Sequence, residues 1–273
     1  MPATKVLPKE MLALVDKPIL QYGVEECLAS GVDRIVLITA RGKGLMEDHF
    51  DISFELEASL AARGKAALLA TASDVARMAD LISVRQKEPL GLGHAVLCAR
   101  SAVGNHPFAV VLPDDVIASQ TPCVKQLAGV YAARQASVIA LMEVPAEAVS
   151  SYGIVDAEEV PGEPGLYRIK DLVEKPKLAD APSRLAIVGR YVLTPEIFGS
   201  LTEVKPGAGG EIQLTDGMKH LLRTQPIYGL KFEGRRYDAG DKLGFLKATV
   251  ELALQHPDLG EAFRRYLKEL SLT

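Results

Sequence analysis

Cysteine is scarce in this 273-residue chain. The three that occur, Cys27, Cys98 and Cys123, have neither the spacing of a metal knuckle nor that of a small disulfide framework. Scattered thiols of this kind argue against a metal cluster and suit a reducing compartment, and each stands in an apolar or helical context, as filler would. An excess of charge of one sign is also missing. With 31 Lys and Arg against 35 Asp and Glu the net charge is -4. The protein as a whole therefore attracts neither nucleic acid nor a membrane surface, and an anionic substrate has to be held by a local basic cluster. No signal-peptide pattern and no apolar run long enough to span a bilayer occur, so a cytoplasmic protein is expected. Internal repeats, heptad arrays and low-complexity segments are absent as well.

What is present is the composition of an ordinary globular enzyme, 48% hydrophobic and 24% charged. The stretch 108–116, F-A-V-V-L-P-D-D-V, organises the reading. Its apolar run suits a strand buried on both faces, and Pro113 removes a backbone donor and stops the ladder, which leaves Asp114 and Asp115 just past a strand end. Ligands of open α/β sheets bind at such ends. Pro-Asp-Asp is equally the chemistry of a surface turn.

Around it the pattern predicts a helix over 18–30 closed by Gly31, a strand over 34–39, helical material over 44–79, a strand over 81–84, a glycine turn at 91–93 and a helix over 94–101. A strand over 108–112, a helix over 122–135 and a strand over 137–144 follow. This alternation predicts a mainly parallel sheet with right-handed crossovers. The second half changes character, with strands over 152–157, 166–174, 185–193 and 227–232, a helix over 212–223, and two helices over 242–270 broken at His256-Pro257.

Five polar clusters fall at the ends of these elements. Lys5 and Lys9 flank Pro8, where lysines are usually just solvated. Arg85-Gln86 precedes Gly91-Leu92-Gly93-His94; glycines between strand and helix admit a ligand to the backbone, although a tight turn explains them equally well. Glu174-Lys175-Pro176 ends a strand, with Pro176 holding Lys175 extended. This pair could serve hydroxyls and a phosphate of one ligand or form a surface ion pair, and adjacent strand residues reach one ligand only where the strand twists or ends. Residues 207–216 read G-A-G-G-E-I-Q-L-T-D, more glycine than a plain helix entry needs. Last, Tyr237-Asp238-Ala239-Gly240-Asp241 offers in Asp238 a second carboxylate for a cation also held by Asp114, and two aspartates suffice for magnesium.

Taken in order, P-A-T-K-V-L-P-K-E-M at 2–11, D-K-P at 16–18, R-Q at 85–86, G-L-G-H-A-V at 91–96, L-P-D-D at 112–115, Y-G at 152–153, V-E-K-P at 173–176, A-I-V-G-R-Y at 186–191, the 207–216 string and Y-D-A-G-D-K-L-G at 237–244 cover nearly the whole chain. The chain thereby resembles the bacterial UTP-glucose-1-phosphate uridylyltransferases (UDP-glucose pyrophosphorylases) within the sugar nucleotidyltransferase family. The resemblance implies a Rossmann-like α/β fold of the nucleotide-diphospho-sugar transferase type, with a mainly parallel sheet flanked by helices, a smaller β-rich sugar-binding part and C-terminal helices. It divides one domain into a nucleotide-binding half (1–145), a sugar-phosphate-binding half (146–240) and C-terminal helices (241–273).

The implied reaction is transfer of UMP from UTP to glucose 1-phosphate, an in-line displacement without covalent intermediate. The resemblance places Mg2+ on Asp114 and Asp238, the nucleotide phosphates on Lys9, and the phosphate of glucose 1-phosphate on Lys175. Gly153, Glu174, Gly189 and Glu211 would line the sugar pocket, and Gln86 and Gly91 would read the uracil edge. It also suggests a homo-oligomer. A relative using another sugar phosphate or nucleotide, and a non-catalytic sugar-nucleotide-binding protein, are the alternatives.

One departure stands out. Members of that family carry, just before P-A-T-K, a first strand and a G-x-G-T-R loop that cradles the triphosphate, whereas this sequence begins Met1-Pro2. The helix over 18–30 likewise lacks the preceding strand that a crossover requires. A start placed too late and a natural truncation are the two readings. For the chain as written, the expectation is a sheet without a central strand, poor stability, and activity reduced by more than the ~10²–10³ of losing one oxyanion donor. Turnover of this chain is to be compared with that of a chain extended by the upstream codons; equal rates would overturn the expectation.

Overall fold

A computed structural model describes residues 4–270, with the backbone alone at Ala208. After a 3-10 turn at Lys9–Met11 the chain forms β1 (Ala13–Leu14), β2 (Lys17–Pro18), α1 (Ile19–Ala29), β3 (Arg34–Thr39), α2 (Leu45–Asp48), α3 (Phe54–Ala62), α4 (Ala66–Arg77) and β4 (Asp80–Arg85). Then come α5 (Leu92–Cys98), α6 (Arg100–Val103), β5 (Phe108–Val111), β6 (Asp115–Ala118), α7 (Cys123–Arg134) and β7 (Ser137–Glu143). The second half adds β8 (Gly153–Glu159), β9 (Leu166–Glu174), β10 (Leu185–Leu193), α8 (Ile197–Glu203), α9 (Leu214–Leu221), β11 (Ile227–Lys231), β12 (Arg235–Asp238), α10 (Lys242–Gln255) and α11 (Gly260–Glu269). No helix among the described residues is long and apolar enough to cross a membrane.

Six strands form the main sheet in the order β5-β10-β7-β11-β9-β8. The α/β class is as expected, but the parallel relation is mostly indirect. Strands β5 and β7 run the same way yet each pairs antiparallel with β10, which lies between them, and β7 pairs parallel with β11. A strand from the second half thus enters between the two strands that the alternating pattern would make neighbours. The sheet's centre explains its composition. Ile139 and Leu141 of β7 point into a cluster with Val155, Leu172, Ile197 and Met218, while Val138 and Ala140 point to the other face, against Leu127 of α7 and Val188. Period-2 alternation of this kind, apolar on both faces, is what a doubly covered strand requires.

Strands β3 and β4 make a separate parallel pair. Among the described residues no ladder joins that pair to β5, and β5 is half-buried along its whole length where neighbouring β10 is buried at eight of nine positions. A third small sheet, β6 with β12, pairs Asp115 opposite Asp238 and packs on Leu14, Ile19 and Ala248. Neither of its strands was foreseen. The cysteines are all free, and burial pushes the thiols of Cys27 and Cys123 up to about 11 and about 12, as inert core filler requires.

The layers are fastened at Arg190, whose side chain is 1% exposed. Its Nε and Nη2 donate to Glu26 Oε2 of α1 at 3.0 and 2.8 Å. Nη1 donates to the carbonyl oxygens of Leu112 and Gly189, and Nη2 to that of Asp115 at 2.7 Å. Every N–H of the guanidinium is thereby used. The other oxygen of Glu26 accepts the Val124 amide at 3.0 Å and so caps α7. Replacing Arg190 by Met would leave a buried carboxylate and three carbonyls without their donor. Urea unfolding should show a loss of about 3–5 kcal/mol, and less in the Glu26→Met, Arg190→Met double variant. A single-variant loss below about 1 kcal/mol would refute the fastening role.

Candidate active site

The β5–β6 turn and the end of β12 bring three aspartates together. Asp115 points inward: its Oδ2 accepts the Gly189 amide at 2.7 Å and its Oδ1 the Arg236 guanidinium, with Nε at 2.5 Å. Burial is the largest influence on this carboxyl and pushes it above the usual carboxylate range, against the pull of Arg236 and the Gly189 N–H. Asp115 is therefore a structural anchor. Asp114 is the outward one, and its backbone carbonyl accepts the Ala239 amide at 2.8 Å, which ties the turn to the end of β12. Its carboxylate and that of Asp238 flank one point: a Cβ built on Gly240 would stand 3.2 Å from Asp114 Oδ2 and 3.1 Å from Asp238 Oδ1. Two hard oxygen donors on a partly exposed rim suit a small divalent cation that keeps water and phosphate oxygens in its other positions.

Two cations meet these carboxylates. Lys9 Nζ donates to Asp114 Oδ2 at 2.5 Å from the 3-10 turn. Burial would lower the Lys9 pKa, but the hydrogen bond and charge of Asp114, with Glu10 and Asp238 behind it, outweigh that and hold it above its ordinary value. Arg236, on the same face of β12 as Asp238, donates to Asp238 Oδ2 at 2.9 Å and to the Tyr152 hydroxyl at 2.8 Å. Asp115, Tyr152 and Asp238 together raise its pKa against burial. Sequence reasoning missed Arg236 altogether. The available signal was a basic residue two places before Asp238, and it becomes readable only once 235–238 is known to be a strand.

From Tyr152 the site continues without a break to the end of β9. The Tyr152 carbonyl accepts the Lys175 amide at 3.0 Å. Lys175 is not extended, as its position before Pro176 predicts; its φ is +45°, and that backbone bond is the tertiary contact that turns it. The strand ends at Glu174, so the Lys175 ammonium lies 3.6 Å from Glu174 Oε1 although the residues are adjacent. Glu174 Oε2 accepts the Thr215 hydroxyl at 2.6 Å, and Gly153 packs beside both: a Cβ there would meet Glu174 Oε2 at 3.2 Å and Thr215 Oγ1 at 3.3 Å. Thr215 is a second residue with no role foreseen for it. Gly189 sits behind the aspartates, where a Cβ would stand 2.6 Å from Leu112 Cβ, so close packing alone demands glycine.

Gln86, Gly91 and Glu211 form a second group. Gln86 continues β4 and bonds the Gly91 carbonyl through Nε2 at 3.1 Å. Gly91, at φ +90°, lies against Glu211. Two backbone bonds, Ile212 N to Leu90 O at 2.7 Å and Gly93 N to Ile212 O at 2.8 Å, lock the 90–93 loop to the 211–213 segment. Since Thr215 follows on that segment, it joins this group to Glu174. Gly209 and Gly210 both have positive φ, and α9 starts at Leu214, later than expected. A separate cleft of about 810 Å³, lined by Asp16, Tyr22, His49 and His256 among others, contains none of these residues.

Comparison with known proteins gives the chain's relatives. A profile of the family described as Nucleotidyl transferase matches residues 1–255. A UTP–glucose-1-phosphate uridylyltransferase of Bacillus subtilis (strain 168) is 47% identical over 270 residues, 99% of this chain and 92% of the relative. A solved UTP-bound UGPase of Acinetobacter baumannii superposes with TM-score 0.91 at 40% identity, covering 99% of this chain and 94% of that one. A UDP-glucose pyrophosphorylase complexed with UDP-glucose does so with TM-score 0.85 at 41% identity, covering 94% of each. On a match over most of its length and on relatives this similar, the chain belongs to the nucleotidyl transferase family.

Proposed function

We propose that this protein transfers UMP from UTP to glucose 1-phosphate, giving UDP-glucose and pyrophosphate. The observation that carries the reading is the cluster in which Lys9 bonds Asp114 and Arg236 bonds Asp238 and Tyr152, the two carboxylates flanking Gly240, with the backbone of Lys175 tied to the Tyr152 carbonyl beside it. The relatives' names and the UTP and UDP-glucose of the two solved neighbours support the substrate pair.

In the proposed reaction an oxygen of the sugar phosphate attacks the α-phosphorus of UTP, the new P–O bond forms as the bond to pyrophosphate breaks, and no protein nucleophile takes part. Catalysis is then positioning and charge neutralisation. Lys9 holds nucleotide phosphates; Lys175, beside Glu174 at the end of β9, holds the phosphate of glucose 1-phosphate. Glu174, buttressed by Thr215 and with Gly153 beside it, accepts from sugar hydroxyls; Glu211 lines the same pocket and Gly189 keeps the wall close. Gln86 and Gly91 face the uracil. Asp114 and Asp238 would hold Mg2+, which when bound neutralises phosphate charge and orients the triphosphate. Free thiols and small-molecule substrates suit the cytoplasm, and a homo-oligomer is part of the same proposal.

Product analysis with UTP, dTTP and ATP tests the reading. UDP-glucose and pyrophosphate should form with UTP and require a divalent cation, whereas calorimetric binding of UDP-glucose without any pyrophosphate release would mark a non-catalytic binder. Asp238→Asn should reduce the rate by about 10²-fold or more with only a small loss of melting temperature; survival of activity would remove the metal role. Lys175→Met should raise KM for glucose 1-phosphate by about tenfold to a hundredfold while KM for UTP stays within about twofold. An equal rise for both substrates would place Lys175 elsewhere in the mechanism.

A further inference from the structure

His94 stands at the start of α5 with its Nδ1 3.0 Å from Gln86 Nε2. Which atom donates is decided by the other partner of that nitrogen. The Gly91 carbonyl can only accept, so the atom 3.1 Å from it is the Gln86 NH2, and the same NH2 group then meets Nδ1. Nδ1 is therefore the acceptor. The neutral imidazole carries its proton on Nε2, 3.9 Å from Cys98 Sγ. Both amide hydrogens of Gln86 are spoken for, and Gly91 O also accepts the Ala95 amide at 3.1 Å. The Gln86 carbonyl oxygen is what this side chain has left for a ligand.

From this geometry we infer that His94 is a positioning residue for base selectivity: with the Gly91 carbonyl it takes both hydrogens of the Gln86 amide, which fixes that side chain with its carbonyl oxygen left for the nucleobase. The inference rests on the proposed reading of the uracil edge by Gln86. A fixed carbonyl accepts from the N3–H of uracil and repels the N3 lone pair of cytosine. A freely turning amide would offer its NH2 to cytosine N3 as readily. The selectivity of UTP over CTP thus depends on a residue that touches neither.

The test is the ratio of CTP to UTP dissociation constants, measured by calorimetry on folded wild type and variants. Gln86→Ala removes the reader, His94→Leu removes its acceptor, and His94→Asn keeps an acceptor oxygen near the place of Nδ1. His94→Leu should lower the ratio about tenfold, and adding it to Gln86→Ala should cost nothing more; His94→Asn should hold the ratio within about twofold of wild type. A ratio lost in Gln86→Ala but kept in His94→Leu overturns the role of His94 and leaves Gln86 as reader. A ratio kept in Gln86→Ala overturns the reading of the base by Gln86, and this inference with it. His94→Asn behaving like His94→Leu overturns the acceptor argument.

Discussion

The buried pairing of Arg190 with Glu26 is the constraint on which the rest of the molecule depends. An ion pair in the interior repays its desolvation only when every remaining donor and acceptor is used, and here they are: carboxylate, three carbonyls and a capped helix close the set. The carbonyls belong to Leu112, Asp115 and Gly189, so the β5–β6 turn cannot drift relative to β10. Asp115 is held from a second side by Arg236 and the Gly189 amide. Asp114, one residue earlier, inherits that rigidity without being buried itself. A scaffold built from the inward aspartate thus aims the outward one.

Charge is arranged with the same economy. The protein is mildly acidic overall, yet the site pairs carboxylates with Lys9, Arg236 and Lys175, each brought by a different element. Local cations are what an acidic protein needs to hold phosphates, since its long-range field repels them. Lys9 and Arg236 also offset the negative charge of Asp114 and Asp238, with which they pair.

Much of this was legible in the sequence, for a physical reason. Long apolar runs such as 137–144 and 185–193 could only be buried strands, and the polar clusters at their ends were visible as interruptions. Elements that bury little left no trace. Helices α3 and α4 have no buried residue, so no periodicity marked their limits within 44–79. The four-residue strands β6 and β12 are too short for an alternation to register, and β12 is polar besides, so Arg236 was missed with it. The φ of Lys175 was misread because the local rule for a residue before proline yields here to a tertiary bond from Tyr152. Thr215 and Arg190 stood inside recognisable strings, but their partners, Glu174 and Glu26, are distant in sequence. Contacts of that kind belong to the fold.

The frame that joins residues 90–93 to residues 211–213 consists of main-chain bonds, and this governs how the protein can change. Substitutions at Leu90 or Ile212 alter side chains without removing a bond of the frame. Gly91 and Gly93 are different, since a Cβ there would stand 3.0 and 2.7 Å from the Ile212 carbonyl oxygen. The loop is therefore permissive except at two positions. Side chains at its rim can change by point mutation while the architecture beneath them stays as it is.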